Sequence, residues 1–533
     1  MSAIEVNLCL YTVGQWVANA REGWGAFRTS DGVEYLGSWR RGKRDGLGYF
    51  WQPNEWYIGE FKEGKAHGVG HWEGTEGVTY EGYLVNNAFE GLGCSRLRDG
   101  SVYIGYWSQG LLEGMGTHRL RSGERYKGFY AKGKPHGRGM CEYSNGARYY
   151  GDFYCGLPSG RGVYLAPTEA KVRYRATCSN LEGLFGKYVG SFASGFLHGH
   201  GIYHFPNGDI LDGEWHKNKA EGTAIYYHHC GNVYRGEFKN NMRHGIGTYC
   251  FINGSEYTGT FDSNHIHGKG IFRYANSSSY RGSFQRNRKH GRGIFTWANG
   301  NIFKGSFEAD VMVGMGELKY ASGCSYKGHW LANKKNGQGQ FTYMNGDVYT
   351  GAWRDDLRWG KGKMVFSPGT EVEESYEGDW VADVMHGEGM YVYRAQEGVV
   401  YSGQFKRGQR EGFGKLTFKD GSSYEGDLHN EQMEGVGTYI GADGVQYQGE
   451  WANNLRHGSG TQMYPDRTIY TGQFFMNRRQ GLGTTSFPDG RSSHHGEWAQ
   501  DVMVGPAMGR HTIYCGKGHR GGPKEITLKV FGF

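Results

Sequence analysis

From Tyr126 to Arg148 the chain reads YKGFYAKGKPHGRGMCEYSNGAR, and at Tyr149 the frame begins again with YYGDFYCGLPSGRG. Tyr126, Gly128 and Tyr130 alternate with Lys127 and Phe129, the period of two expected of a strand whose successive side chains point to opposite faces. Asn145-Gly146 then ends the unit with the dipeptide that marks a tight turn between extended segments. The unit is read as one β-hairpin, its second strand starting near the Gly-x-Gly pair, as at Gly116 through Leu120 in the copy before.

The same metre runs outward in both directions. Tyr80, Tyr103, Tyr126 and Tyr149 are each 23 residues apart, as are Tyr234, Tyr257, Tyr280, Phe303, Tyr326 and Tyr349, and again Tyr401, Tyr424, Tyr447 and Tyr470. With degenerate first positions at Thr12, Leu211 and His494 the template gives 21 copies. The metre breaks after Tyr149, Tyr349 and Tyr376, where insertions that leave the flanking phase intact belong in loops. The division is therefore an N-terminal extension at 1–11, repeats at 12–164, an insertion at 165–187, repeats at 188–509 and a tail at 510–533.

Glycine, 94 of 533 residues, follows this metre rather than a collagen or linker pattern. At the third place of the unit it lets aromatic rings lie over the backbone, and the aromatic content of 15% supplies the apolar area that a glycine-rich sheet lacks. An array of hairpins packs each repeat only on its neighbours and needs no single core. With about 4.8 Å between strands, 21 copies predict a rod on the order of 200 Å.

The pattern YxGxWxxGxxHGxG, carried by Tyr126, Gly128, Tyr130, His136, Gly137 and Gly139, resembles the membrane occupation and recognition nexus (MORN) repeat. That resemblance implies an all-β, elongated, twisted antiparallel sheet of consecutive hairpins, used as a scaffold and often dimeric. Gly222-Thr-Ala224 and Gly505-Pro506-Ala507 depart from Gly-x-Gly and are read as a kink and an end cap.

No run reaches the ~18 apolar residues of a membrane span, and Met1 to Val17 lacks the pattern of a secretory leader. An intracellular protein with free thiols is expected, because the nine cysteines are odd in number, scattered and without CxxC. Gly516 to Gly521 matches GxGxxG, but Gly522-Pro523 stands where a helix should begin. No Walker A loop, HExxH or GxSxG occurs. The expectation is no enzyme, no catalytic residue, no cofactor and no metal. His67, His136, His198, His244, His267, His290, His386 and His457 precede the first glycine of the pair, but at ~10 Å per hairpin they cannot share one ion. They are read as packing beside a ring and bonding turn backbone, with Glu90, Glu113, Glu221, Glu411 and Glu434 as turn acceptors in other copies.

Charge is patterned locally. Ser263 to Phe307 holds eight basic residues and no acidic one, and Lys269, Arg273, Arg281, Arg286, Arg288, Lys289 and Arg292 are the candidate binding residues, with Arg286 to Lys289 placed in a hairpin turn. Met364 to Tyr393 holds Glu371, Glu373, Glu374, Glu377, Asp379, Asp383 and Glu388 without Lys or Arg, a second candidate guide for a neighbour. Solvated turns remain the alternative for both. Tubulin tails, another acidic protein or anionic lipid suit the basic segment; nucleic acid does not, at pI 8.7 and with no recognised module.

The insertion is a docking loop or a passive excursion, and the alternating segment Glu525 to Phe531 is read as covering the last sheet edge. A single-layer sheet also leaves its aromatic face partly open to a partner. Long MORN arrays without a catalytic domain resemble the radial-spoke-head MORN proteins of cilia and flagella. That resemblance implies an axonemal scaffold in a large cytoskeletal assembly, with a homodimer open. A membrane-associated cytoskeletal scaffold is the alternative, and an enzyme's targeting segment has no residues left for the enzyme.

Overall fold

The computed structural model describes residues 9–167, 184–394, 396–490 and 493–506. Most of the 165–187 insertion, the Gly516 to Gly521 match and the 510–533 tail lie outside the described residues. The described residues form 42 strands and no α-helix, from β1 (Cys9–Val17) to β42 (Val502–Pro506). One unit, Met1–Ala275, holds β1 to β22 (His265–Arg273); the other, Asn276–Phe533, holds β23 (Ser279–Gln285) to β42. Within each unit every strand is antiparallel to its sequence neighbours, giving the 21 hairpins of the repeat count. The degenerate copies at Thr12 and His494 pair as hairpins too.

The hairpin of β11 (Arg125–Ala131) and β12 (Lys134–Glu142) shows why the repeat folds. Its own turn is only Lys132-Gly133, both at positive φ (51° and 75°), the twist that matches two flanking strands. The second strand therefore starts earlier than the glycine pair suggested, at Leu111 rather than near Gly116 in β10 (Leu111–Arg119). Asn145-Gly146 instead joins one hairpin to the next, Tyr143 N donating to Ala147 O at 2.8 Å and Ala147 N to the Asn145 side chain at 2.9 Å. Gly137, at φ 67°, is a bulge: Gly128 pairs with Gly139 and Tyr130 with Pro135, so the second strand carries the extra residues. The second glycine of the pair lies beneath the tyrosine ring. A Cβ on Gly162 would stand 2.5 Å from Cε2 of Tyr149.

Above these glycines runs the core. Tyr149 is fully buried, its hydroxyl donates to Asp152 O at 2.9 Å, and its ring meets Phe153 and Phe192 edge to face at 5.0 and 4.9 Å. Tyr349 stands likewise between Trp353 and Trp380 at 5.2 and 5.4 Å. Each tyrosine thus binds its own hairpin to the next, at roughly 0.5–1.5 kcal/mol per ring pair beyond area burial. Tryptophan adds a bond backwards, as from Trp353 Nε1 to Gly339 O at 3.2 Å.

Departures are absorbed by paired changes. Leu211 supplies no ring to lie over the sheet, and opposite Gly213 stands Ala224 in place of glycine. The bulge at Gly222 and the register continue as elsewhere, so the expected kink is absent: the smaller side chain made room for the methyl group. Glu90, Glu113 and Glu411 are turn acceptors as read, Glu113 receiving Lys132 N at 2.8 Å, Glu90 receiving Gln109 N at 2.9 Å and Glu411 receiving Asn430 N at 3.1 Å. Of the equivalent histidines, His136 packs beside Tyr154 at 5.3 Å and His457 beside Phe475 at 5.0 Å, while His244 faces the carboxylate of Asp262 at 3.4 Å.

Candidate functional site

With Tyr, Gly and Trp or Phe on the ladder face, the second and fourth positions of the unit and the middle residue of Gly-x-Gly point to the other face. In the first unit the fourth position and the middle residue of Gly-x-Gly are apolar over six strands, with charged Glu81 and Lys127 at second positions beside them: β6 (Lys65–Glu73), β7 (Thr79–Val85), β8 (Ala88–Arg96), β9 (Val102–Ser108), β10 and β11. Val69 pairs with Tyr83, Leu92 with Tyr106 and Met115 with Phe129, and all six are exposed, from 41% for Tyr83 to 63% for Val69. The row ends at Arg138.

Sequence reasoning placed the available apolar surface on the aromatic face. The structure moves it to the other side, because the rings of the ladder cover one another. Burial pushes the hydroxyl of Tyr57 up to about 12, so it remains a donor. The missed signal lay in the metre: Val69, Leu92 and Met115 are the same place in three successive copies, as are Tyr83, Tyr106 and Phe129.

The basic segment is divided between the two units. Lys269 and Arg273 belong to the first unit, on β22, where Arg273 pairs with Glu256 at 3.2 Å. Arg281 lies on β23, Arg286 in the turn, and Arg288, Lys289 and Arg292 on β24 (Arg288–Thr296). The turn is only Arg286-Asn287, so Lys289 is in a strand and on the ladder face, over Phe295 at 5.1 Å and paired with Asp310 at 3.6 Å. Its side chain is 16% exposed and is not available for docking. Arg281 pairs with Ile294, Ile294 with Lys304 of β25 (Ile302–Glu308), and Arg292 with Ser306. Arg281, Arg292 and Lys304 therefore share the outer face of three adjacent strands, exposed and without an ion pair among the described residues.

The acidic stretch is largely neutralised. Asp379 pairs with Lys361 at 2.8 Å, Glu377 with Lys363 at 3.3 Å, Asp383 with Arg358 at 3.1 Å and Glu374 with Arg394 at 3.2 Å. Antiparallel pairing supplies Arg358, Lys361 and Lys363 from the hairpin before, and Arg394 follows the stretch, partners that a scan of charge within the stretch does not see.

A single layer of β-hairpins, ribbed by tyrosine on one face and variable on the other, defines a repeat protein. MORN-repeat models match 19 segments from 35–55 to 470–490, including the unbroken run 57–79, 80–102, 103–125 and 126–148, well over half of the chain. The protein belongs to the MORN-repeat family. The hairpins begun by Thr12 and His494 lie outside the matched segments.

No curated protein matches the chain. Among solved structures, the TCP10 domain of Danio rerio CPAP in complex with a STIL peptide is 13% identical, covering 43% of this chain and 89% of that chain with a TM-score of 0.23. The TCP domain of Drosophila melanogaster SAS-4 in complex with a proline-rich motif of Ana2 is 14% identical, covering 34% and 88% with a TM-score of 0.21. A streptogramin B lyase is 12% identical over 55% and 91%, with a TM-score of 0.10. Scores this low add nothing to the fold assignment.

Proposed function

We propose that the protein is a non-enzymatic scaffold that holds partner proteins on the outer faces of its repeats. The observation that carries this reading is the apolar row from Val69 to Phe129, exposed on six neighbouring strands of the first unit, since contiguous apolar surface of this kind marks interaction sites. The assembly we assign it to is the axoneme of a cilium or flagellum, on the resemblance of long MORN arrays to radial-spoke-head proteins. Proximity labelling in ciliated cells tests both parts. The wild-type chain is expected to label axonemal proteins, and Leu92→Asp with Tyr106→Asp to lose part of that set at unchanged thermal stability, because both side chains are exposed. An identical set from wild type and double variant would reject the apolar row as the docking face; labelling confined to other compartments would reject the axoneme.

A second reading is a scaffold on an anionic membrane. It is favoured by Arg281, Arg292 and Lys304, three cations on one face without an ion pair among the described residues, each worth about 1 kcal/mol near an anionic surface.

A further inference from the structure

The second residue after each hairpin turn lies over the tyrosine ladder, and in nine hairpins a cation stacked on the rings stands there. In seven of the nine, the second residue of the following turn is Asn, Asp or Glu, and its side chain accepts from that strand. Arg358 shows the full pattern: its Nη2 donates to Asp383 O at 2.8 Å and its Nε to the Asp383 carboxylate at 3.1 Å. The exceptions are Arg21 and Arg44, where the corresponding residues are Gly42 and Gly64. Where Gly110, Gly133 or Gly156 takes the same place, the stacked residue is Phe89, Leu112 or Pro135, and no charge is left unmatched.

Arg44 keeps one half of the pattern, an Nη2 bond to Gly64 O at 2.8 Å, and lacks the carboxylate half. The nearby acids are engaged elsewhere, Glu63 with Lys43 at 3.1 Å and Asp45 with Glu63 N at 3.3 Å. The guanidinium sits 4.5 Å from the Phe50 ring centre and 5.3 Å from that of Phe61, and burial makes its charge less favourable. Beside it opens a cavity of about 340 Å³ walled by Phe27, Val33, Tyr35, Trp39 and Phe50. A cation that lacks an internal carboxylate, in an aromatic cavity of ligand size, is suited to a carboxylate attached to an apolar group.

We propose that this cavity is a binding site for an apolar carboxylate, with the anion taking the place against Arg44 that Asp383 takes against Arg358, and the apolar portion lying among Phe27, Trp39 and Phe50. The site is on the ladder face of the first unit and is independent of the two outer faces. A chain terminus and a free small acid present the same chemistry, and the test separates them.

The probes are N-acetyl-phenylalanine, the peptide acetyl-Gly-Gly-Gly-Phe, and the C-terminal amide of each, titrated into the full chain by saturation-transfer NMR and calorimetry. Both acids are expected to bind at least about tenfold more tightly than their amides. A peptide about tenfold tighter than the single residue assigns the site to a partner's C-terminus, and equal affinity assigns it to a small acid. Gly64→Asp restores the internal carboxylate. Gly64 has φ 89° and open space around an added Cβ, and Asp383 holds the same place at φ 70°, so this variant is expected to fold with an equal or higher melting temperature while losing the acids. Gly64→Ala keeps binding. Equal affinity for acid and amide, no binding of either acid, or undiminished binding to folded Gly64→Asp overturns the proposal.

Discussion

Tyrosine at the first position carries two loads, a ring in the ladder and a hydroxyl bonded three residues on, and Phe303 separates them. Phe303 keeps the ring contacts, at 5.3 Å to Phe307 and 5.2 Å to Trp330, and lacks the hydroxyl that Tyr280 donates to Ser283 O at 3.0 Å. Phe303→Tyr is expected to stabilise the second unit by about 0.5–1.5 kcal/mol, read as a raised denaturation midpoint. His118 is one residue through which pH acts on the first unit. Its Nδ1 lies 2.7 Å from the Tyr130 hydroxyl and its ring lies 5.6 Å from each of Tyr103 and Tyr126. Burial holds its pKa down at about 4. The unfolded chain takes up that proton near pH ~6.5 and the fold only near pH 4. This contribution is thus complete above the unfolded value and is lost as pH falls through that window. Urea midpoints of the first unit are expected to fall across it, and His118→Phe, the residue type at Phe27 and Phe50, to flatten the slope. A slope unchanged in the variant would assign the effect to other groups.

At the scale of the hairpin, the turn is the joint between repeats. Asn87, at φ 74°, accepts from Ala66 N at 2.7 Å, and Asn241, at φ 66°, accepts from Ala220 N at the same distance. At the opposite edge Asp209 accepts from His229 N at 2.8 Å and from Tyr226 Oη at 2.6 Å, bonds that hold its carboxyl well below the usual range even against the opposing effect of burial. One residue at each edge therefore fastens a hairpin to the next. Asn87→Gly removes the acceptor and leaves the backbone at ease, for a cost of about 0.5–1.5 kcal/mol. Asn87→Ala loses the same acceptor but keeps a Cβ in the left-handed region, and is expected to cost about 1–2 kcal/mol more than Asn87→Gly. Equal melting temperatures for the two variants would show that the amide, not the backbone conformation, sets the joint.

Over the whole chain, one repeat produces two units with outer faces of different chemistry. The first presents the apolar row ending at Phe129; the second presents Arg281, Arg292 and Lys304 and, further on, the paired lattice of Lys361 with Asp379 and Lys363 with Glu377. Reversing Arg281, Arg292 and Lys304 to Glu is expected to leave melting unchanged, since all three are exposed and without an ion pair among the described residues, and to abolish salt-sensitive binding to phosphatidylserine vesicles. Vesicle binding equal to wild type would end the membrane reading. Lys289→Glu belongs to a different class: it inverts a cation held over Phe295 beside Asp310 and is expected to destabilise the unit.

The 23-residue metre, the alternation of Tyr, Gly and Trp or Phe, and Asx-Gly were enough to establish an array of 21 hairpins, because each is a local rule: side-chain period, turn conformation and room beneath a ring. The exact start of the second strand was not legible, since the two-residue turn uses many residue pairs, such as Arg286-Asn287 and Lys132-Gly133, with no single signature. What only the tertiary structure decided was which side chains meet across strands. Lys289 left the basic set, Lys361 and Lys363 neutralised the acidic stretch, and Gly64 left Arg44 without the acceptor that Asp383 gives Arg358. These partners stand roughly ten to twenty-five residues apart in sequence and one or two strands apart in space, at ~4.8 Å per strand, a distance that pairing register sets and linear composition does not contain.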